Sequence, residues 1–584
     1  MKFHFFSFIL ISVYLESNNA MAQSAVEASN KLAEEFTKDY SQLVPELGSS
    51  LGYREFDSKA ACIALNQEER ELERLRKWEN QITESLKLAK EPDLMVDYLI
   101  LQKMLKNSIR GQELSLKHGE IPVPKVSQEI YENLQILVNA QSPEERRKAS
   151  VDRFKSYVNG TSDCKPLVEI HLERAQQALA KAAQTESLFP LKRSMEKYLK
   201  DAPQLTSGVK ELLEKSGRSD WQDEFKRFEV QLEKYHSFLK DSILPKARTS
   251  YQLPLELYEH ALVEAGIEDK AEELIKKGLE DYDKVYLEFR NLSNKIGKKL
   301  KLKSTDPKSV MERLKKDKIT QAEDVKKLYA NADKILAKII QKNHLVTLPA
   351  KPLKIRLAGD AESAASPVPH LNPPPLVNNQ GERPEFVVPT SSTGNLPYDD
   401  FSYKAAALVL TAHEGRPGHD LQFSSMLDNQ VSIVRARYAF NSVNVEGWGL
   451  YAEDLVYPYL PLESQMVALQ TRLWRIARMF LEPQIQLGKI QPERVIQLFT
   501  EELGVSREMA QLELNRYTFV KPGQAPTYYY GLLKLKGVRD AAIQALGKRF
   551  QLKCFNDAVL SVGLVPLEMV SKRLTSQLSC ASPK

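Results

Sequence analysis

The sequence predicts a mainly α-helical protein: a helical array forming two lobes around a cleft, with a small β-sheet beside a helix that carries two histidines. Three observations predict it. Apolar residues recur at spacings of three, four and seven along most of the chain, which places them on helical stripes. At 584 residues the chain exceeds what one hydrophobic core supports. A Pro-rich stretch near 349–398, with short extended runs inside it, interrupts the helical pattern once.

Composition sets the outer limits. Hydrophobic residues make up 42% and charged residues 27%, the balance of an ordered globular chain. The formal charge of +5 is the remainder of 82 basic and 77 acidic side chains, too mild for a nucleic-acid partner. The Lys-rich stretch from Lys298 to Lys342 is broken by acidic and apolar residues at helical intervals, and is expected to be a solvated helix face.

The first element is residues 1–22. Lys2, an apolar run from Phe3 to Leu15, and Ala20 and Ala22 in an A-x-A arrangement form a signal peptide. The run falls short of the roughly 20 residues a bilayer span needs, so no stable membrane insertion is expected after its removal. The mature chain is expected to be exported, periplasmic or secreted. No Cys stands at the cleavage point, which argues against a lipid anchor. Export permits disulfides, and the placement of the four cysteines, two early and two late, favours Cys62 with Cys164 and Cys554 with Cys580.

Residues 23–345 are expected to form a mainly helical N-terminal region, on series such as Leu72, Leu75, Ile82, Leu86 and Leu274, Gly278, Tyr282, Val285, Phe289, Leu292, Ile296. Gly48, Ser50 and Gly52 match the spacing of a serine nucleophile elbow. An elbow needs a strand before it, whereas the residues before Gly48 have a helical pattern, so no serine chemistry is expected. His118, His171, His236, His260 and His344 stand singly on helical patterns and are expected to be structural or exposed.

Residues 346–584 are expected to hold the chemistry. Extended runs at Leu353 to Leu357 and Phe386 to Thr390 form the β element, and Pro389 suits the latter to an edge strand along which a peptide could pair. Asp399 and Asp400 are good N-caps for a helical pattern resuming at Phe401.

That helix reaches Thr411-Ala-His-Glu-Gly-Arg-Pro-Gly-His-Asp420. A His-Glu pair followed closely by a second His is how zinc peptidases present two imidazole ligands and a carboxylate base from one short segment. His413 and His419 are six apart, a rotation of about 240° on an ideal helix, so they cannot share a face unless the helix breaks. Pro417 and Gly418 supply the break. Downstream, Glu446 and Glu453 are seven apart on one helix face, so one can ligate zinc while the other orients a histidine. His413, His419 and Glu446 then leave a fourth position open, as a catalytic zinc site does, with one zinc per chain and Glu414 as general base.

With these motifs in view the chain resembles the bacterial family called domain of unknown function 885, which is similar to gluzincin-type metallopeptidases. The family pattern H-E-x-x-P-G-H-H-x-x-Q, then E-G-W-x-L-Y-x-E, then R-Y-x-x-x-P-G-Q-A-x-x-Y is met by His413 to Gln422, by Glu446 to Glu453, and by Arg516 to Tyr528. This chain has Asp420 where the family has a second His, and the resemblance makes His419 the ligand and Asp420 not. The resemblance further implies Tyr528 as a phenol donor to the oxyanion, with Gln524 and Tyr529 beside it. Arg516 would either clamp a substrate carboxylate or tie Glu453 and its neighbours together. The expected function is zinc-dependent hydrolysis of peptide or protein substrates; the alternative is a catalytically inactive relative that binds peptides or a partner protein in the same cleft.

Overall fold

The structure, a computed structural model, describes residues 25–182, 187–390 and 400–570. The signal segment, Asp399 and Cys580 lie outside the described residues. The fold is mainly α.

A helix over residues 25–40 is followed by two long helices, α1 (Gln67–Leu88) and α2 (Pro92–His118), which pack side by side because three residues join them. Five helices come next: α3 (Val126–Gln135), α4 (Glu144–Asn159), α5 (Leu167–Ala182), α6 (Lys192–Lys215) and α7 (Gln222–Phe238). They enclose a core of their own, including Leu134, Phe154, Val209, Phe228 and Tyr235. The chain then returns through α8 (Ala271–Lys299) and α9 (Ala322–Lys342) to the main core, which α1 and α2 also share. The 23–345 region is therefore divided between two cores. Residues 121–243 form the smaller lobe, and the rest of the region packs with the C-terminal half. Stripe spacing shows which face of a helix is apolar but not which core it joins.

Three strands follow, β1 (Ile355–Leu357), β2 (His370–Asn372) and β3 (Glu385–Val388), in the order β1-β3-β2. β3 lies parallel to β1 and antiparallel to β2, with Leu371 opposite Phe386. The expectation that Phe386 to Thr390 is an edge strand is corrected here: β3 is the centre, and Phe386, Val387 and Val388 are fully buried. Pro389 lies one residue beyond the strand, where its missing N–H costs no ladder bond. The edge facing the histidine helix is β2.

The C-terminal half adds α10 (Lys404–Glu414), α11 (His419–Asp428), α12 (Ser442–Val456), α13 (Leu462–Gln486), α14 (Arg507–Asn515), α15 (Thr527–Leu546) and α16 (Leu552–Ser561). α10 begins at Lys404 behind Tyr403, not at Phe401, and Asp400 does not cap it. Asp400 is buried and must be paired; it accepts from Lys315 Nζ at 2.5 Å and from the Ser506 amide at 3.1 Å. Every residue of α10 from Ala405 to His413 is buried, its alanines letting α9, α12 and α13 close around it. α8 packs along α13, with Tyr282 edge-on to Phe480.

Cys62 and Cys164 form a disulfide, as their placement favours. Ser50 ends a helix, Pro45–Ser50, and its hydroxyl donates to the Leu47 carbonyl, so no elbow exists there. His236 bonds Tyr198, a structural contact. No helix among the described residues is long and apolar enough to cross a membrane. Between the lobes lies a cleft of about 940 Å³, lined from the smaller lobe by Tyr131, Gly208 and Leu212 and from the larger by Asn372, Phe423 and Phe440.

Candidate metal centre

The helix that carries His413 ends one residue later, at Glu414, and a new one starts at His419. Between them the backbone folds back so tightly that a Cβ on Gly418 would stand 1.8 Å from the His413 carbonyl oxygen. Only glycine fits there. This reversal brings the two imidazoles to 4.8 Å between ring centroids, at an interplanar angle of 86°.

α12 supplies the carboxylates. The side chain of Asn441 caps it by accepting from the Asn444 amide at 2.8 Å. Glu446 and Glu453 then face α10 from successive turns, and the ring of His413 lies over Gly449 between them. A Cβ on Gly449 would come within 2.6 Å of His413 Cε1, so a bare backbone is needed at this point too. His413 Nδ1 donates to Glu453 Oε1 at 2.8 Å, since a carboxylate can only accept, and this leaves Nε2 as a lone-pair donor. Glu453 Oε2 accepts from Thr471 at 3.1 Å.

His413 Nε2 lies 3.4 Å and His419 Nε2 3.6 Å from the same atom, Glu446 Oε2. Charge-assisted hydrogen bonds are shorter, about 2.7–2.9 Å. Neighbouring donor atoms on a tetrahedral ion with bonds of about 2.0–2.1 Å stand roughly 3.3–3.4 Å apart, close to what is seen. Glu446 Oε2 is moreover buried without a hydrogen-bond partner. One donor atom from each of the three residues falls within 4.8 Å of the others. Two imidazoles and a carboxylate whose Oε2 is orphaned fit a divalent metal.

Burial opposes charge on Glu446, yet the two imidazoles hold its carboxyl well below the usual range. Burial likewise opposes a proton on His413, and Glu446 and Glu453 outweigh it, lifting the metal-free imidazole to about 9. Burial also works against Glu453, whose bond from His413 keeps its carboxyl low.

Glu414 Oε2 accepts the Leu371 amide of β2 at 2.9 Å, which ties the sheet edge to the centre. Asp420 is fully buried and accepts from Arg416 Nε at 2.7 Å, so it is spent on an ion pair within its own turn. Tyr528 stacks on His413 with ring centroids 6.3 Å apart, and Arg478 lies on its ring at 4.3 Å. Burial, then Glu446, raise its phenol above the ordinary value, so it remains a proton donor at neutral pH.

Arg516 does not tie down Glu453; its Nη1 donates to Gln524 Oε1 at 2.7 Å, and Gln524 in turn donates to Ser442. Tyr529 is turned elsewhere, its hydroxyl donating to Asp281 on α8 at 3.1 Å. The sequence reading missed several supporting groups. Gln422, one turn after His419, takes its Nδ1 at 3.4 Å and passes a bond to Asn444; the three-residue spacing carried that signal. Thr471, Glu482 and Leu371 carried none, being far away in the chain.

Fold and site together define a mainly α protein with a buried histidine–carboxylate constellation suited to a metal. The chain belongs to the family described as "Bacterial protein of unknown function (DUF885)", which it matches over residues 45–574. Among solved structures it is similar to a candidate lipoprotein of unknown function from Shewanella oneidensis, at 20% identity and a TM-score of 0.71 over 93% of this chain and 98% of that one. It is also similar to a candidate lipoprotein from Colwellia psychrerythraea, at 18% identity and a TM-score of 0.74 over 95% and 99%. These likenesses establish the fold. No curated protein matches the sequence.

Proposed function

We propose that this chain is an exported zinc-dependent peptidase of gluzincin type. The observation that carries the reading is the buried, unpartnered Oε2 of Glu446, faced by two imidazole nitrogens at 3.4 and 3.6 Å, one of them backed by a carboxylate. A zinc ion held there by His413, His419 and Glu446 would supply a Lewis acid for the scissile carbonyl and would make water a nucleophile near neutral pH.

The chain's own residues do the rest. Glu414, half-buried next to His413, takes the proton of the attacking water and returns it to the leaving amine. The water oxygen adds to the carbonyl carbon, and the C–N bond breaks when the tetrahedral adduct collapses, its nitrogen taking the proton from Glu414. Tyr528 keeps its proton and donates to the oxygen on which negative charge develops. The substrate lies beside β2, whose Leu371 amide holds Glu414 in place. Its remaining residues lie in the inter-lobe cleft beyond Asn372 and Phe423.

Export is supported by the Cys62–Cys164 disulfide and by relatives described as candidate lipoproteins. The test is elemental analysis of the purified mature protein and of the single variants His413→Ala and His419→Ala, with a peptide library followed by mass spectrometry. About one zinc per chain, lost in both variants, together with metal-dependent cleavage is expected. A well-folded preparation that takes up no metal would overturn the reading.

A further inference from the structure

Three guanidinium groups gather next to Tyr528: Arg475 and Arg478 on α13, and Arg516 just after α14. Two of the carboxylates that face them are already committed. Glu513 accepts from Arg478 Nε and Nη2, both at 2.7 Å, and from the Tyr517 hydroxyl at 2.9 Å. Glu453 serves His413 and Thr471. Arg478 Nη1 and Arg475 Nε are left buried without a hydrogen-bond partner. Such atoms are costly to keep dry.

The cluster opens to solvent at one place. The side chain of Arg478 is 6% exposed, whereas that of Arg516 is 28% exposed. Arg516 stands 3.9 Å from Glu513, too far for a hydrogen bond, and its one short contact is with the neutral Gln524. It is also within electrostatic reach of Glu446 and Tyr528, beside the metal triad. Its planar fork suits a carboxylate.

We propose that Arg516 receives the free C-terminal carboxylate of a peptide substrate, which makes the protein a carboxy-directed peptidase. This rests on the peptidase reading above.

The experiment compares one N-acetylated peptide as its free acid and as its C-terminal amide. The wild-type zinc protein should release short C-terminal products from the acid and cleave the amide at least about thirtyfold less efficiently in kcat/KM. Arg516→Met should bring the acid down to the level of the amide, and Arg516→Lys should restore part of the difference, with circular dichroism confirming each fold. Equal cleavage of acid and amide by the wild type overturns the inference and leaves the peptidase reading standing. If neither peptide is cleaved, calorimetry on the same pair decides: tighter binding of the acid, lost in Arg516→Met, upholds the carboxylate site while the peptidase reading falls, and equal binding overturns the site as well.

Discussion

Glu453 Oε1 lies 2.8 Å from His413 Nδ1, although 40 residues separate the two in the chain. The bond fixes which imidazole nitrogen carries the proton and aims the other at Glu446. Replacing Glu453 with Gln keeps the size and removes the charge. Zinc affinity should fall about 10–100-fold, as it does when such outer carboxylates are lost, with little change in fold. Competition against a chelator of known affinity measures this. Unchanged affinity would mean that His413 is held by packing alone.

Gly449 lies beneath the same ring. Gly449→Ala puts a methyl group 2.6 Å from His413 Cε1, and that imidazole is clamped by Glu453 on one side and faces Glu446 on the other. The ring or α12 has to move, an overpacking cost of about 1–3 kcal/mol. Less than half the wild-type zinc content is expected, in a protein whose far-ultraviolet circular dichroism is unchanged and whose melting temperature is lower. Full occupancy in the variant would show that the ring tolerates displacement.

These two contacts bear on what could be read beforehand. The ligand set was legible because it is local: His413, Glu414 and His419 sit within seven residues, and Glu446 and Glu453 share a helix face by their seven-residue spacing. The need for a break at Pro417-Gly418 followed from helix geometry alone, and α10 does end between the two histidines. The strand order was not legible. Phe386 to Val388 is a continuous apolar run, which fits a central strand as well as an edge, and only its pairing with both Ile355–Leu357 and His370–Asn372 decides. The division of the N-terminal helices between two cores was hidden for a similar reason, as was the arginine cluster, whose members become neighbours only when α13 packs against the segment that follows α14.

Glu414 is half-buried and accepts the Leu371 amide through one oxygen, so a neutral isostere should preserve the contact while losing basicity. Glu414→Gln is expected to bind zinc and peptide as the wild type does, with kcat reduced about 10²–10⁴-fold. Zinc content, peptide binding and turnover are measured on one preparation. Wild-type turnover in the variant would remove Glu414 as the base. A wild type that binds peptides yet never turns them over would leave the cleft with a binding role.

Glu482 on α13 is fully buried and holds the loop that leads into Tyr528: it accepts the Gly523 amide at 2.7 Å, the Ala525 amide at 3.2 Å and the Tyr258 hydroxyl at 3.1 Å. Burial lifts its carboxyl to about 8 against the pull of these three donors. The folded pKa is thus above the unfolded value near 4.5, so between the two the unfolded chain binds fewer protons and stability falls as pH rises. The contribution is whole below about pH 4.5 and is lost by about pH 8. Glu482→Gln cannot ionise, and the difference in melting temperature between wild type and variant should shift in favour of the variant from pH 5 to pH 8. The variant should also lose turnover at every pH, because its amide group meets backbone N–H donors and releases the loop that positions Tyr528. A difference in melting temperature that stays constant across this range would mean that Glu482 is already charged at pH 5, with its three donors outweighing burial.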